Sequence, residues 1–296
     1  MLSRSTLLHL RFPFSYFLLP VFLFALAISP NLDEPRLFWT FFILHFLLYP
    51  ASNGYNSYFD KDEQSIGGLK NPPPVTKDLY YVAISLDVMA IIVGYLTINT
   101  TFSVMLLLYG LVSKAYSHPS IRLKKYPVVG WIAAGFFQGF FTLFMCYVGI
   151  NNFELAESWN NRTAIAAVLA TVMLLGNYPM TQVYQHEEDG KRGDRTFSLM
   201  LGVRGTFYFV AAIFTLVTGG FFFFFINFFS IWYGLAFVLA LTPVFIFYFY
   251  WLSRILKDIS NADYTHTMCL NFISSTCLNL YFIYLFLSSS YILQLF

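Results

Sequence analysis

Runs of about twenty apolar residues recur along the whole chain, and they leave very few folds open. A chain of 296 residues that is 58% hydrophobic and only 11% charged cannot coat a water-soluble domain; such domains carry about 25% charged residues. The alternation of apolar and polar residues expected of a membrane barrel is absent. The chain therefore reads as an all-α polytopic membrane protein, one membrane-embedded domain over residues 1–296. Nine spans are expected, at about 13–30, 37–55, 78–97, 101–116, 128–150, 163–184, 206–226, 229–252 and 268–294. Residues 13–30 are taken as the first span rather than a signal peptide, because no clear small-residue cleavage site follows them.

Lys and Arg give the orientation. Of the 17, fifteen fall on one side of these spans, and only Arg36 and Arg162 on the other. The richer side reads as the cytoplasm, with the N-terminus inside and Phe296 outside. In a bacterium this would be the inner membrane. A net charge of +2 argues against a nucleic-acid partner. Cys146, Cys269 and Cys277 lie in apolar stretches and read as buried small hydrophobes, not a disulfide framework.

Two acidic stretches interrupt the apolar pattern, both on the inner side. The first runs from Asn53 to Lys70 and holds Asn56, Asp60, Asp62 and Glu63. A helix continuing to about Gln64 would set Asn56, Asp60 and Glu63 on one face, since residues three and four apart are neighbours. The second runs from Gln185 to Thr196 and holds Glu187, Glu188, Asp189 and Asp194. In each, an amide stands four residues before an Asp. Each also follows the second span of its half, a weak repeat of placement.

Oxygen-rich clusters at a membrane boundary suit Mg²⁺, which takes few protein ligands together with water and phosphate oxygens. The candidate metal ligands are Asn56, Asp60 and Glu63 (or Asp62) on one side, and Gln185, Glu188 and Asp189 on the other. The bland reading is a solvated loop whose acids balance nearby lysines. A third inner loop, Lys114 to Pro127, adds cations. Arg122 can fork onto phosphate oxygens and Lys124 can act as a point charge. Lys70 is a third candidate for diphosphate. His118 and His186 read as ordinary loop histidines. Tyr58, Tyr116, Tyr178 and Tyr184 stand near the inner boundary, where a tyrosine either lines a pocket or belongs to the interfacial belt.

The Asn56-x-x-x-Asp60 stretch, the Asp189-x-x-x-Gly193-x-x-Thr196 stretch and Tyr116-Ser-x-Pro119-x-x-Arg122-x-Lys124 together resemble the UbiA family of intramembrane prenyltransferases. The span count and loop placement resemble it as well. The resemblance implies a nine-helix bundle with a lateral opening to lipid. It implies a polyprenyl diphosphate held through Mg²⁺ by two Asp-rich motifs, with Asp60 and Asp189 as the catalytic carboxylates. It also implies an allylic carbocation that alkylates a lipophilic acceptor, usually an aromatic ring. A dry chamber containing Tyr58, Tyr116 and Tyr184 would shield that cation.

This sequence departs from the family pattern in three places. Ser57 stands where the first motif has Asp, Gln64 where it has its last Asp, and Gln185 where the second motif has Asp. Neighbouring acids at 62, 63, 187 and 188 are the available substitutes. The alternative reading is a transporter or a non-catalytic lipid-binding protein on the same scaffold. A transporter often sets ionisable residues at mid-membrane. Here the charges crowd one face.

Overall fold

The computed structural model describes residues 3–290 of the chain, and the elements of these residues are helical. In order they are α1 (Arg4–Leu10), α2 (Leu19–Ala27), α3 (Glu34–Phe42), α4 (Tyr49–Asp60), α5 (Asp78–Thr97), α6 (Thr100–Ser117), α7 (Pro127–Phe136), α8 (Thr142–Asn151), the short α9 (Leu155–Ser158), α10 (Asn161–Met180), α11 (His186–Arg192), α12 (Phe197–Phe228), α13 (Ile231–Ala240), α14 (Thr242–Lys257) and α15 (Tyr264–Ser289). π turns join α3 to α4 (Ile43–Leu48) and α7 to α8 (Phe137–Phe141), so each pair forms one rod. Wider turns of this kind mark places where a helix changes pitch to admit a packing or functional demand.

Among the described residues six helices are long and apolar enough to cross a bilayer, or seven if the bent pair Arg4–Phe17 and Leu19–Ala27 is one span. The chain is thus an integral, multi-pass membrane protein. The expected first span, 13–30, is this bent pair, broken by 40°. The expected spans 37–55 and 101–116 lie in helical rods that are not among the six. Residues 291–294 of the expected last span, and Phe296, lie outside the described residues.

The helix ends follow local chemistry. Asn99, Asn160, Thr196 and Asp263 each cap a helix by accepting from a backbone N–H three residues on. Close approach of two rods needs Gly139, where an added Cβ would lie 2.5 Å from Thr171 Cα on α10. The core is strongly aromatic, with Phe24 at 4.7 Å from Phe282 and Phe225 at 5.2 Å from Phe237. Cys146 is buried in it, but Cys269 is exposed and Cys277 half-buried, so the expectation of three buried cysteines does not hold.

One boundary differs in a way that matters. The helix that carries Asn56 stops at Asp60, not near Gln64, because Lys61 adopts a left-handed conformation (φ 50°). A non-glycine residue in that region is uncommon. Glu63 consequently leaves the face shared by Asn56 and Asp60. The loop then packs on the turn Phe12–Phe17 that follows α1, where Gly67 and Gly68 pass so close to Phe14 that an added Cβ at Gly67 would lie 2.7 Å from its ring.

Candidate active site

Three loops meet over one end of the bundle. From α4 come Asn56 and Asp60, and Asp62 follows at the start of the loop. Arg122 and Lys124 come from the turn after α6. Gln185, Asp189, Arg192 and Asp194 come from α11 and its ends. Gly193 (φ 75°) closes α11, and the Asp194 N–H donates to Asp189 O at 2.9 Å. This is the reversal with which helices commonly end, and it returns Asp194 to the cluster.

Charge knits the loops together. Lys124 pairs with Asp60 and stands 3.9 Å from Asp194. Arg122 donates to both oxygens of Asp194, at 2.7 and 2.8 Å, and reaches Asp60 at 3.4 Å. Arg192 pairs with Asp62, with Asp189 at 2.8 Å and with Asp194 at 3.7 Å. Four aspartates thus share three cations, and all four are buried or nearly so. Within these ion pairs negative charge exceeds positive by one, before Arg11, which lines the same chamber, is counted. Burial raises the Asp189 carboxyl to about 6 even against the pull of Arg192. Burial and then Asp60 raise that of Asp62. Burial opposes the charge on Arg192, but Asp62 and Asp60 outweigh it and its pKa is raised.

Beneath the cluster lies a chamber of about 260 Å³. Asn56, Asp60, Asp62, Lys124, Gln185, Asp189 and Arg192 line its charged end, and Tyr49, Tyr109 and Phe137 line its apolar depth. Tyr116 and Tyr178 join hydroxyl to hydroxyl in its wall, and Tyr184 lines it beside Tyr264 at 5.5 Å. Both amides hold their nitrogen away. Asn56 Nδ2 donates to Ser117 Oγ at 2.9 Å, and Gln185 Nε2 donates to Ser65 O at 3.2 Å. Their carbonyl oxygens accept no hydrogen bond among the described residues.

Other expected residues stand elsewhere. Glu63 is exposed and Glu188 accepts from its N–H at 2.9 Å; neither lines the chamber. Lys70 is exposed, away from the charged end. Arg122 acts from behind, through Asp60 and Asp194. Tyr58 packs against Tyr80 at 5.2 Å, outside the chamber. His118 Nδ1 accepts from Ser120 N–H and His186 Nε2 bonds Ser198 Oγ, local duties for both.

Four residues at the site carried no individual role in the sequence. Asp194 and Arg192 follow Asp189 within the second stretch, and the glycine before Asp194 was the available signal. Arg11 lines the chamber and donates to Asn53 O at 3.2 Å and Gly67 O at 3.1 Å, without a carboxylate partner among the described residues. In the sequence Arg11, two residues before the expected first span, counted only toward orientation. Gln182 lines the chamber with a buried Oε1 that has no partner among the described residues.

Fold and site together define an intramembrane protein with a chamber lined at one end by acids and cations in equal number. Residues 17–276 match the UbiA prenyltransferase family. The chain belongs to that family. Its fold is similar to that of a UbiA homolog from Archaeoglobus fulgidus bound to DMAPP and Mg²⁺, at 16% identity and a TM-score of 0.67 over 95% of this chain and 99% of that one. The same homolog bound to GPP and Mg²⁺ gives 17% identity and a TM-score of 0.66 over 95% and 99%. A structure of digeranylgeranylglyceryl phosphate synthase gives 17% and 0.58 over 96% and 98%. No curated protein sequence matches the chain.

Proposed function

We propose that the protein transfers a prenyl group from an isoprenyl diphosphate to a lipophilic acceptor within the membrane. One observation carries this reading: three separate loops bring carboxylates, amides and cations to the charged end of a chamber whose depth is apolar. That is the polarity of a diphosphate joined to a hydrocarbon.

The donor set suits Mg²⁺. Among the described residues no three acidic, imidazole or thiol groups gather as a ready-made metal site, because each chamber acid is turned onto a Lys or Arg. Yet its donors are hard oxygens, and two amide oxygens accept no hydrogen bond among the described residues. Asn56 with Asp60, and Gln185 with Asp189, would hold the metal, with Asp62 beside them. Bound there, Mg²⁺ would neutralise the charge that develops on a departing diphosphate.

The residues of the chain do the rest. Lys124 and Arg192 line the charged end and stabilise the leaving oxygens where charge develops. Arg122 holds Asp60 and Asp194 in register. The C–O bond breaks to give an allylic cation and diphosphate. The acceptor attacks that carbon and releases a proton. Tyr116, Tyr178 and Tyr184 present aromatic faces to the cation and exclude water. We place nine crossings in the bundle, with the charged end at the cytoplasmic face; the 15-to-2 split of Lys and Arg supports this.

The test is Mg²⁺-dependent release of diphosphate from prenyl diphosphates by the purified protein. Folded protein that neither binds nor consumes a donor of any length would end this reading.

A further inference from the structure

Three carboxamides line the chamber: Asn177 near the end of α10, Gln182 in the turn after it, and Asn271 on α15. Gln182 is 8% exposed and Asn271 3%. The side-chain oxygen of each is buried and meets no hydrogen-bond partner among the described residues. A buried polar group left in this state costs about 1–3 kcal/mol, so three in one chamber need a cause. The main chain around them is well supplied. Pro179 lacks the N–H that would reach Leu175 O within α10, and Trp131 Nε1 donates to that carbonyl instead, at 2.7 Å. The helix then closes in tight turns, with the Thr181 N–H on Tyr178 O at 3.1 Å and the Gln182 N–H on Pro179 O at 3.2 Å. Backbone groups are paired here, and the side-chain amides that line the chamber are not.

Depth separates these amides from the charges. The rings of Tyr184 and Tyr264 meet at 5.5 Å, at the level of the charged end, since Gln185 follows Tyr184. Asn271 lies two turns into α15 from Tyr264, about 10 Å deeper and on the same face of that helix. Asn177 stands as many residues before Tyr184, in the last turns of α10. Leu174, one turn before Asn177, and Phe17 add carbon to the lining. The chamber's cations are engaged above. Lys124 and Arg192 are held by Asp60, Asp62 and Asp189. Arg11 uses both terminal nitrogens on Gly67 O and Asn53 O.

We propose that Asn177, Gln182 and Asn271 bind the acceptor by an uncharged hydroxyl group. This rests on the prenyl-transfer reading above and adds to it the class of acceptor. A carboxamide carries a donor and an acceptor, and a half-turn exchanges them, which suits a hydroxyl that both gives and takes a hydrogen bond. A carboxylate or phosphate at this depth would be a buried charge among neutral amides. A hydroquinone and a lipid alcohol both present the matching group on an apolar body. The amides orient the acceptor and take no proton. As the C–O bond to diphosphate breaks, a carbon or oxygen of the acceptor bonds to the allylic carbon, and the proton it gives up passes to the diphosphate.

The experiment uses full-length protein, Mg²⁺ and geranyl, farnesyl or geranylgeranyl diphosphate with three acceptors: a naphthohydroquinone, the same ring carrying a carboxylate, and a long-chain alcohol. The parent should favour an uncharged acceptor over the carboxylate, and whether hydroquinone or alcohol is consumed names the source. Asn271→Leu and Gln182→Met keep the size and remove the hydrogen bonds. Each should raise the KM of the uncharged acceptor about tenfold more than that of the donor. Each should also leave the ligand-free protein at least as stable as the parent, because carbon replaces an unpartnered polar group. The uncharged acceptor should raise the Tm of the parent and not that of the variants. A structural role for the amides predicts the reverse, a lower Tm or loss of folding, and that result overturns the proposal. So does an unmoved acceptor KM, or a parent that favours the carboxylate. If the parent releases diphosphate but no uncharged acceptor shifts its Tm, this inference alone fails. If it releases none from any donor, the functional reading fails as well.

Discussion

Arg122 grips Asp194 through two parallel hydrogen bonds, Nε to Oδ1 at 2.7 Å and Nη2 to Oδ2 at 2.8 Å. This fork ties the turn after α6 to the end of α11, and Asp60 of α4 stands within reach of the same guanidinium at 3.4 Å. The hydrogen bond to Asp194, the largest influence, raises the pKa of Arg122. Three loops distant in sequence therefore depend on one planar group.

Asp194→Ala should destabilise the protein by about 3 kcal/mol, because removing one partner of a buried pair leaves the other charge uncompensated. Arg122→Lys keeps the charge but loses the fork, and should lower turnover more than it lowers stability. Thermal unfolding in detergent, read beside diphosphate release, separates the two. A double variant, Arg122→Ala with Asp194→Ala, should cost less than the sum of the single changes. Simple additivity would show that the pair does not act as a unit.

Asp60→Asn and Asp189→Asn should each nearly abolish turnover while leaving the protein folded. Each removes the carboxylate at the chamber's charged end that is matched by an amide one turn before it. Near-parental activity of both variants at low Mg²⁺ would mean the metal is held elsewhere.

The departures from the family pattern now separate. Gln185 lines the chamber, so Gln185→Asp should lower the Mg²⁺ needed for half-maximal activity, since the added charge acts in a partly dry site. Gln64 is exposed beyond the end of α4, so Gln64→Asp should change nothing. Among the neighbouring acids, Asp62→Asn should be damaging and Glu63→Gln should not, because Asp62 faces the chamber and Glu63 faces solvent. A Mg²⁺ titration of the four variants ranks them, and a dominant effect of Glu63→Gln would contradict the placement.

What was legible in the sequence was what depends on local pattern. Apolar runs located the helices, and the two amide-to-Asp spacings located Asn56–Asp60 and Gln185–Asp189. Spacing also held information about Tyr58: two residues from both Asn56 and Asp60, it must face away from them on a helix, and it packs on Tyr80. The end of α4 was not legible, because Lys61 takes a left-handed conformation that nothing in its side chain favours. Nor was the role of Asp194, which exists only because Gly193 turns the chain toward an arginine from another loop. The role of Arg11 is likewise tertiary, since both carbonyls it holds lie more than forty residues away.

Sidedness has a direct test. Leu155, on the short α9, is exposed, and Gly190, on α11, has open space where a Cβ would stand. Leu155→Cys should react with a membrane-impermeant maleimide added outside, and Gly190→Cys should not. The parent protein is the control for Cys269, which is exposed. The opposite labelling would reverse the orientation.

One buried ion pair lies away from the charged end. Asp87, in the middle of α5, pairs with Lys114 of α6, and both side chains are largely buried. Gly110 leaves room for the carboxylate, 3.7 Å from where a Cβ would be, and the ammonium stands 5.1 Å from the centre of the Tyr55 ring. Ionisable groups inside a membrane are costly unless paired. Asp87→Leu or Lys114→Leu alone should therefore lower stability by about 3 kcal/mol, as each strands the other charge. The double change to Leu should restore most of that loss, because two apolar side chains need no partner in this setting. Tyr55 precedes Asn56 on α4, so the single variants should also loosen the chamber wall and raise the KM for donor. Thermal unfolding of the three variants decides the first point and donor kinetics the second. A double variant as unstable as the two single changes combined would show that each charge is held by something other than its partner.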